Sequence, residues 1–222
     1  MSPREPRPSV WDLPDPREAE PFEDVVCVGA ELDPATVLQA YRRGLFPMHL
    51  EADLLAWWSP DPRGILPLES LRVSASLRKS LRRFEITIDR DFVGVMRACA
   101  ETPREHGWIT EEFIDTYCAL HDLGWAHSVE TWNAEGRLVG GLYGIEIGGL
   151  FAGESMFHVE RDASKAALVG LVDALTTGGT RLLDVQWATE HLMSMGAIEI
   201  RRDAYLDLLA SALERTPVLS PR

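Results

Sequence analysis

Residues 150–186 read LFAGESMFHVERDASKAALVGLVDALTTGGTRLLDVQ, a strand, a helix and a second strand in succession. From Leu150 toward Glu154 the chain is apolar over a strand's length. From about Ala163 to Thr177, Leu168, Leu171, Val172 and Leu175 recur on one face at helical spacing, and Gly178-Gly179 supplies the stop. Arg181 to Gln186 is again apolar and too short for a helix, which marks a buried strand. Upstream, Ala126 to Trp132, the turn Asn133-Ala134-Glu135-Gly136 and Arg137 to Tyr143 form a hairpin. Downstream come a short helix near Thr189 to Met195, a strand through Ala197-Ile198-Glu199-Ile200 and a terminal helix from Asp203. An antiparallel meander followed by alternating strands and helices implies an α/β layer with a mixed sheet.

Further upstream, Phe92, Val95, Met96 and Cys99 repeat at helical spacing, as do Phe113, Tyr117 and Leu120 between a Thr110 cap and Gly124. Asp33 is a good N-cap, Pro34 suits the first turn, and Gly44 closes a short helix. In Trp57-Trp58-Ser59-Pro60-Asp61-Pro62-Arg63 the two prolines exclude regular structure, and Gly64-Ile65-Leu66-Pro67 follows as a short extended piece. A junction near residues 62–68 therefore divides a small N-terminal domain, 22–66, from a larger one, 67–222. Residues 1–21 hold six of the 14 prolines and many charges, a composition expected to form a flexible tail.

With 222 residues, 45% of them apolar, and seven tryptophans, the chain can bury a sizeable core. Its apolar runs fall far short of the roughly 20 residues a membrane span needs, and charge and proline stand where a signal peptide would be apolar. A cytoplasmic protein with no membrane partner is expected. Cys27, Cys99 and Cys118 are odd in number and lack a Cys-x-x-Cys pair, so neither a disulfide framework nor a thiolate zinc site is suggested. A net charge of −13 argues against indiscriminate binding to nucleic acid. Any RNA contact must be local, and Ser70 to Phe84 offers one, with Arg72, Arg78, Lys79, Arg82 and Arg83 and no acidic residue. On a helix, positions 78, 79, 82 and 83 share a face. The competing reading is a merely solvated basic surface.

The chain has no Walker loop, no His-Glu-x-x-His and no Gly-x-Ser-x-Gly. Its six histidines are scattered, which disfavours a metal site. The Gly-Gly-Leu triplets at 140–142 and 148–150 fall in strands, where glycine marks a bulge or a close backbone approach rather than a phosphate cradle. Polarity stands out where a core is expected: Glu154 ends one apolar strand, and Asp184 and Gln186 end another. Strand alternation points Asp184 and Gln186 to the same face and Val185 to the other. A carboxylate beside an amide is costly in a dry core, so these groups either find structural partners or meet substrate.

In order and spacing, Leu45-Phe46-Pro47, Trp57 to Arg63, His127-Ser128-Val129-Glu130, Gly140 to Gly144, Gly149 to Phe157, Ala163-Ser164-Lys165 and Asp184-Val185-Gln186 resemble the leucyl/phenylalanyl-tRNA–protein transferases over roughly residues 25–205. The resemblance implies an acetyltransferase-like (GNAT) domain behind the small N-terminal one. It implies transfer of Leu, Phe or Met from leucyl-tRNA or phenylalanyl-tRNA to the α-amine of proteins that begin with Arg or Lys, marking them for N-degron degradation. Because the ester is already activated, no cofactor or metal is implied.

Carried over by position, Asp184 and Gln186 match the catalytic pair and Glu154 a pocket residue suited to an amine. An apolar pocket of Leu142, Phe151, Leu168, Leu171, Leu175 and Leu183 would take the side chain. Tyr41 and Trp108 match aromatic positions near the terminal adenosine, and Arg78, Lys79, Arg82 and Arg83 would hold acceptor-stem phosphates. Better-known members carry Trp where this chain has Met48, which exchanges a stacking surface for a flexible thioether. Val185 replaces a Cys and, by alternation, is expected to face away from the chemistry. Leu171 and Leu175 stand where larger aromatics occur, which predicts a wider pocket. An acetyl-CoA enzyme of the same fold would want a glycine-rich strand-to-helix turn, whereas His158 to Ala163 has no glycine. A non-catalytic tRNA- or peptide-binding module and a transferase acting on acidic N-termini compete with the transferase reading.

Overall fold

The computed structural model describes residues 2–51, 54–102, 108–179 and 182–219. In chain order it contains β1 (Val25–Val28), α1 (Pro34–Arg42), β2 (Phe46–Glu51), β3 (Leu54–Trp58), β4 (Arg63–Ile65) and α2 (Ala75–Leu81). Then come β5 (Glu85–Ile88), α3 (Phe92–Glu101), α4 (Glu111–Asp122), β6 (Ala126–Trp132), β7 (Leu138–Ile147) and β8 (Leu150–His158). The chain continues with α5 (Ala163–Gly178), β9 (Leu182–Gln186), α6 (Glu190–Met195), β10 (Ile198–Ile200) and α7 (Arg202–Leu213). Arg181, expected to open β9, lies outside the described residues. Among them no helix is long and apolar enough to cross a membrane.

Caps and periodicity explain the helices. Asp33 accepts from the Ala35 and Thr36 amides ahead of Pro34, and Asp91 and Thr189 cap α3 and α6 through their side chains. Gly179, at φ +80°, ends α5 in the left-handed region that glycine enters without strain.

The small sheet has the order β1-β3-β2, and the large one β10-β4-β9-β8-β7-β6-β5. All pairs in the large sheet are antiparallel except β8 and β9, which α5 connects, so the mixed α/β sheet is present as expected. One apolar cluster joins α1, α3, α4 and α7 to one face; the other holds α2 and α5 to the opposite face. A fully buried leucine in either contributes about 1.5–3 kcal/mol. Gly140 lets α5 lie flat on the sheet, because a Cβ there would stand 2.5 Å from the Ala163 methyl.

Four expectations change. The sheets divide between Trp58 and Arg63, since β4 belongs to the large sheet, so Arg63 to Leu66 go with the larger domain. Trp57 and Trp58 are not irregular; they end β3, pairing with Pro47 and Phe46 of β2. Of the two Gly-Gly-Leu triplets, Gly148-Gly149 makes the β7–β8 turn instead of lying in a strand. The N-terminal segment is a strap packed on the body. Leu13 joins the core, Trp125 donates to Arg4 O, and the buried Arg202 guanidinium donates to the carbonyls of Pro16, Ala19, Glu20 and Glu23. Composition missed this because most of what orders the strap is not its own apolar surface: besides Leu13, it is held by the carbonyls it supplies to a buried cation.

Candidate active site

Pairing between β8 and β9 stops at Ala152↔Asp184, although β8 runs on to His158 and β9 to Gln186. A cavity of about 280 Å³ opens where the ladder ends. Gly153, Glu154, Ser155 and Met156 of β8 and Val185 and Gln186 of β9 line it. Leu142, Leu168, Leu171, Leu183 and Leu192 give it an apolar wall, and Phe46, Pro47, Met48, Trp108 and Trp187 close the side toward the small sheet. The register of β7 on β8 slips between Tyr143↔Ser155 and Gly144↔Gly153, which leaves Glu154 as the extra residue of a bulge and re-aims its side chain.

The polar end of the cavity is built in depth. Gln186 Nε2 donates to Glu154 Oε1 at 3.0 Å, and the Tyr117 hydroxyl donates to Oε2 at 3.2 Å. Burial pushes the Glu154 carboxyl up to about 7, with the hydroxyls of Tyr41 and Tyr117 opposing the shift and the charge of Asp184 adding to it. Gln186 sits at φ +56°, an uncommon position for a side-chain-bearing residue, at a strand end. Its backbone N–H donates to Asp184 Oδ1 at 2.9 Å. Asp184 is fully buried and accepts from Arg63 Nε at 2.9 Å, Arg63 Nη2 at 2.6 Å and the Tyr205 hydroxyl at 2.9 Å. Burial works against the Arg63 charge, but Asp184 beside it prevails and its pKa is raised.

Of the expected pocket wall, Leu142, Leu168, Leu171 and Leu183 line the cavity. Phe151 and Leu175 do not; both are wholly buried, Leu175 one helical turn beyond Leu171 on α5 and Phe151 two residues before Gly153 on β8. Asp184 reaches Arg63 and Tyr205 on the face opposite Leu183, and the Gln186 side chain reaches Glu154 at the polar end of the cavity. Val185 lines the cavity, against the expectation that it faces away from the chemistry.

Trp108 and Met48 border the cavity, Trp108 edge-on to Phe113 with centroids 5.3 Å apart. Tyr41 is 1% exposed and cannot stack on a base; its hydroxyl lies 2.7 Å from that of Tyr117, supporting the Glu154 end from behind. Arg78 and Lys79 are exposed on α2, with Arg82 and Arg83 exposed just after it. Only Arg78 of the four lines the neighbouring hollow, with Arg72, Arg161 and Lys165.

Sequence reasoning missed Phe46, Trp187, Met156, Leu192 and Arg63. Trp187 directly follows Gln186, a usable hint; its ring meets Phe46 at 5.2 Å and its indole N–H donates to Asp24 at 3.0 Å. Gly64 permits this, since a Cβ there would stand 2.6 Å from the Ala188 nitrogen.

None of the three cysteines and none of the described histidines lines the cavity, and among the described residues no group of three metal-type ligands occurs. An apolar recess ending in a carboxylate and an amide suits an acyltransferase, in which an amine attacks an acyl group already activated elsewhere. Comparison with known proteins gives the class a family. Residues 65–210 match the model described as leucyl/phenylalanyl-tRNA protein transferase, and residues 30–61 that of its N-terminal domain. The protein of this name from Syntrophobacter fumaroxidans is 50% identical over 193 residues, covering 85% of this chain and 82% of its own. That from Syntrophotalea carbinolica is 47% identical over 203 residues (89% and 88%), and that from Burkholderia orbicola 43% over 227 residues (98% and 88%). Among solved structures, L-PGS from Bacillus licheniformis is similar at TM-score 0.42 and 12% identity (70% of this chain, 65% of that one). A tandem GNAT protein from the clavulanic acid biosynthesis pathway is similar at 0.35 and 15% (81% and 56%).

The chain belongs to the leucyl/phenylalanyl-tRNA–protein transferase family and is an aminoacyltransferase, moving an amino acid from tRNA to protein.

Proposed function

We propose that the protein, acting in the cytoplasm, transfers Leu, and also Phe or Met, from aminoacyl-tRNA to the α-amine of proteins that begin with Arg or Lys, marking them for N-degron degradation. The observation that carries this reading is the apolar cavity closed by the Glu154–Gln186 pair. The amino-acid side chain enters among Leu142, Leu168, Leu171 and Leu183, whose apolar surface rejects polar side chains. The ester carbonyl then lies at the strand ends beside Gln186. There Glu154 fixes the amide's N–H side and leaves its oxygen to accept from the incoming amine. The amine nitrogen bonds to the carbonyl carbon, the bond to the tRNA ribose oxygen breaks, and that oxygen leaves with a proton. An α-amine has a pKa of about 7.7–8.0, close to that of Glu154, so the carboxylate takes up the amine's proton with little thermodynamic cost. Asp184 acts through Gln186 and does not meet substrate. The tRNA end rests on Trp108 and Met48, with its phosphates on Arg78, Lys79, Arg82 and Arg83.

Mixing the protein with labelled leucyl-tRNA and peptides that begin with Arg, Lys, Asp or Ala tests the acceptor. Label is expected on the Arg and Lys peptides alone; transfer to the Asp peptide instead would overturn the acceptor assignment. Two further outcomes follow from the cavity. Leu171→Trp fills the space beside Leu168, so the ratio of phenylalanyl to leucyl transfer, measured as kcat/KM, should fall about tenfold or more. Glu154 must be ionised to accept a proton, so activity should rise with pH through about 7 and again as the amine deprotonates. In Glu154→Gln the first rise should vanish, with kcat about tenfold or more below the parent at pH 8 and closer to it at pH 6. A pH–rate profile unchanged in shape would contradict this.

A further inference from the structure

We infer that Arg63 is a positioning residue for the transfer reaction, setting the backbone of Gln186, and with it the side chain, through Asp184. This rests on the reading of Gln186 as a catalytic residue. Arg63 comes from the short strand β4 and is fully buried. A buried ion pair is a poor way to stabilise a core, because desolvation consumes most of its Coulombic gain and apolar residues of equal volume serve as well. What this pair provides is direction. Its two parallel bonds, Nε to Oδ1 and Nη2 to Oδ2, fix the plane of the Asp184 carboxylate. Oδ1 in turn receives the backbone N–H of Gln186, a left-handed residue whose side chain lines the cavity. The guanidinium is itself clamped between the rings of Phe46, at 4.9 Å, and Tyr205, at 4.3 Å. Its remaining nitrogen, Nη1, donates to Gly44 O at 3.1 Å. Phe46 also lines the cavity, so one side chain locks the small sheet, the terminal helix and the catalytic strand end into a single register.

A lysine cannot reproduce the planar fork. Arg63→Lys is therefore expected to lower kcat at least tenfold while leaving KM for leucyl-tRNA within about threefold. Tyr205→Phe removes one bond to Asp184 and keeps the ring; it should lower kcat two- to fivefold and decides the matter alone should Arg63→Lys not fold. The readout that separates positioning from mere support is the same pair of changes made in Gln186→Ala. With the amide gone, neither should slow turnover further. A folded Arg63→Lys and Tyr205→Phe at parental kcat, or losses of equal size in the Gln186→Ala background, would overturn the inference while leaving Gln186 in place. Parental turnover of Gln186→Ala alone would remove the Gln186 assignment itself, and the role of Arg63 with it.

Discussion

Asp184→Ala is expected to fail as a folded protein before it fails as a catalyst. The side chain is fully buried and accepts two bonds from Arg63, one from Tyr205 and one from the Gln186 backbone N–H. Removing it strands a guanidinium with no counter-charge between Phe46 and Tyr205, a change that costs about 3–5 kcal/mol. For a chain of this length each kcal/mol moves the thermal midpoint by about 2–4 °C, so a drop of roughly 6–20 °C should appear in a melt followed by circular dichroism. A shift under about 2 °C together with a large loss of turnover would instead mean that Asp184 is accessible and meets substrate.

Gln186→Ala should behave in the opposite way. The backbone at φ +56° is no harder for alanine than for glutamine, and the Asp184 contact through the amide N–H survives. Glu154 loses one donor but keeps Tyr117. Stability should change by no more than about 1–2 kcal/mol. Turnover should fall about 10²–10³-fold, the usual cost of deleting one preorganised polar group at a reacting centre, with leucyl-tRNA affinity within about threefold. Single-turnover transfer beside an equilibrium binding titration separates the two quantities. Equal losses in both would make Gln186 a binding residue.

The contrast between these neighbours shows what the sequence could and could not convey. The helix over Ala163–Gly178 and the strand over Ala126–Trp132 were legible because caps, glycine stops and periodicity are local signals. The strand pairs of the small sheet were not: β1 and β2 are short and half exposed, and Trp57-Trp58 was obscured by the prolines that follow. At the site, the polar residues at two strand ends were visible as anomalies in apolar runs. Two backbone irregularities beside them, the bulge at Glu154 and the left-handed Gln186, are not foreseeable from alternation. The partner of Asp184 stands 121 residues away in the chain, beyond the reach of any spacing argument. Phe151 and Leu175 show the converse limit, since an apolar residue beside a pocket and one behind it look alike in sequence.

The most direct test is a crystal structure of the protein with a leucyl-adenosine analogue whose ester is replaced by an amide. The leucyl side chain should lie among Leu142, Leu168, Leu171 and Leu183, with its carbonyl within hydrogen-bonding reach of the Gln186 side chain and the adenine against Trp108. Density for the analogue outside this cavity, or with the carbonyl turned away from Gln186 and Glu154, would contradict the account.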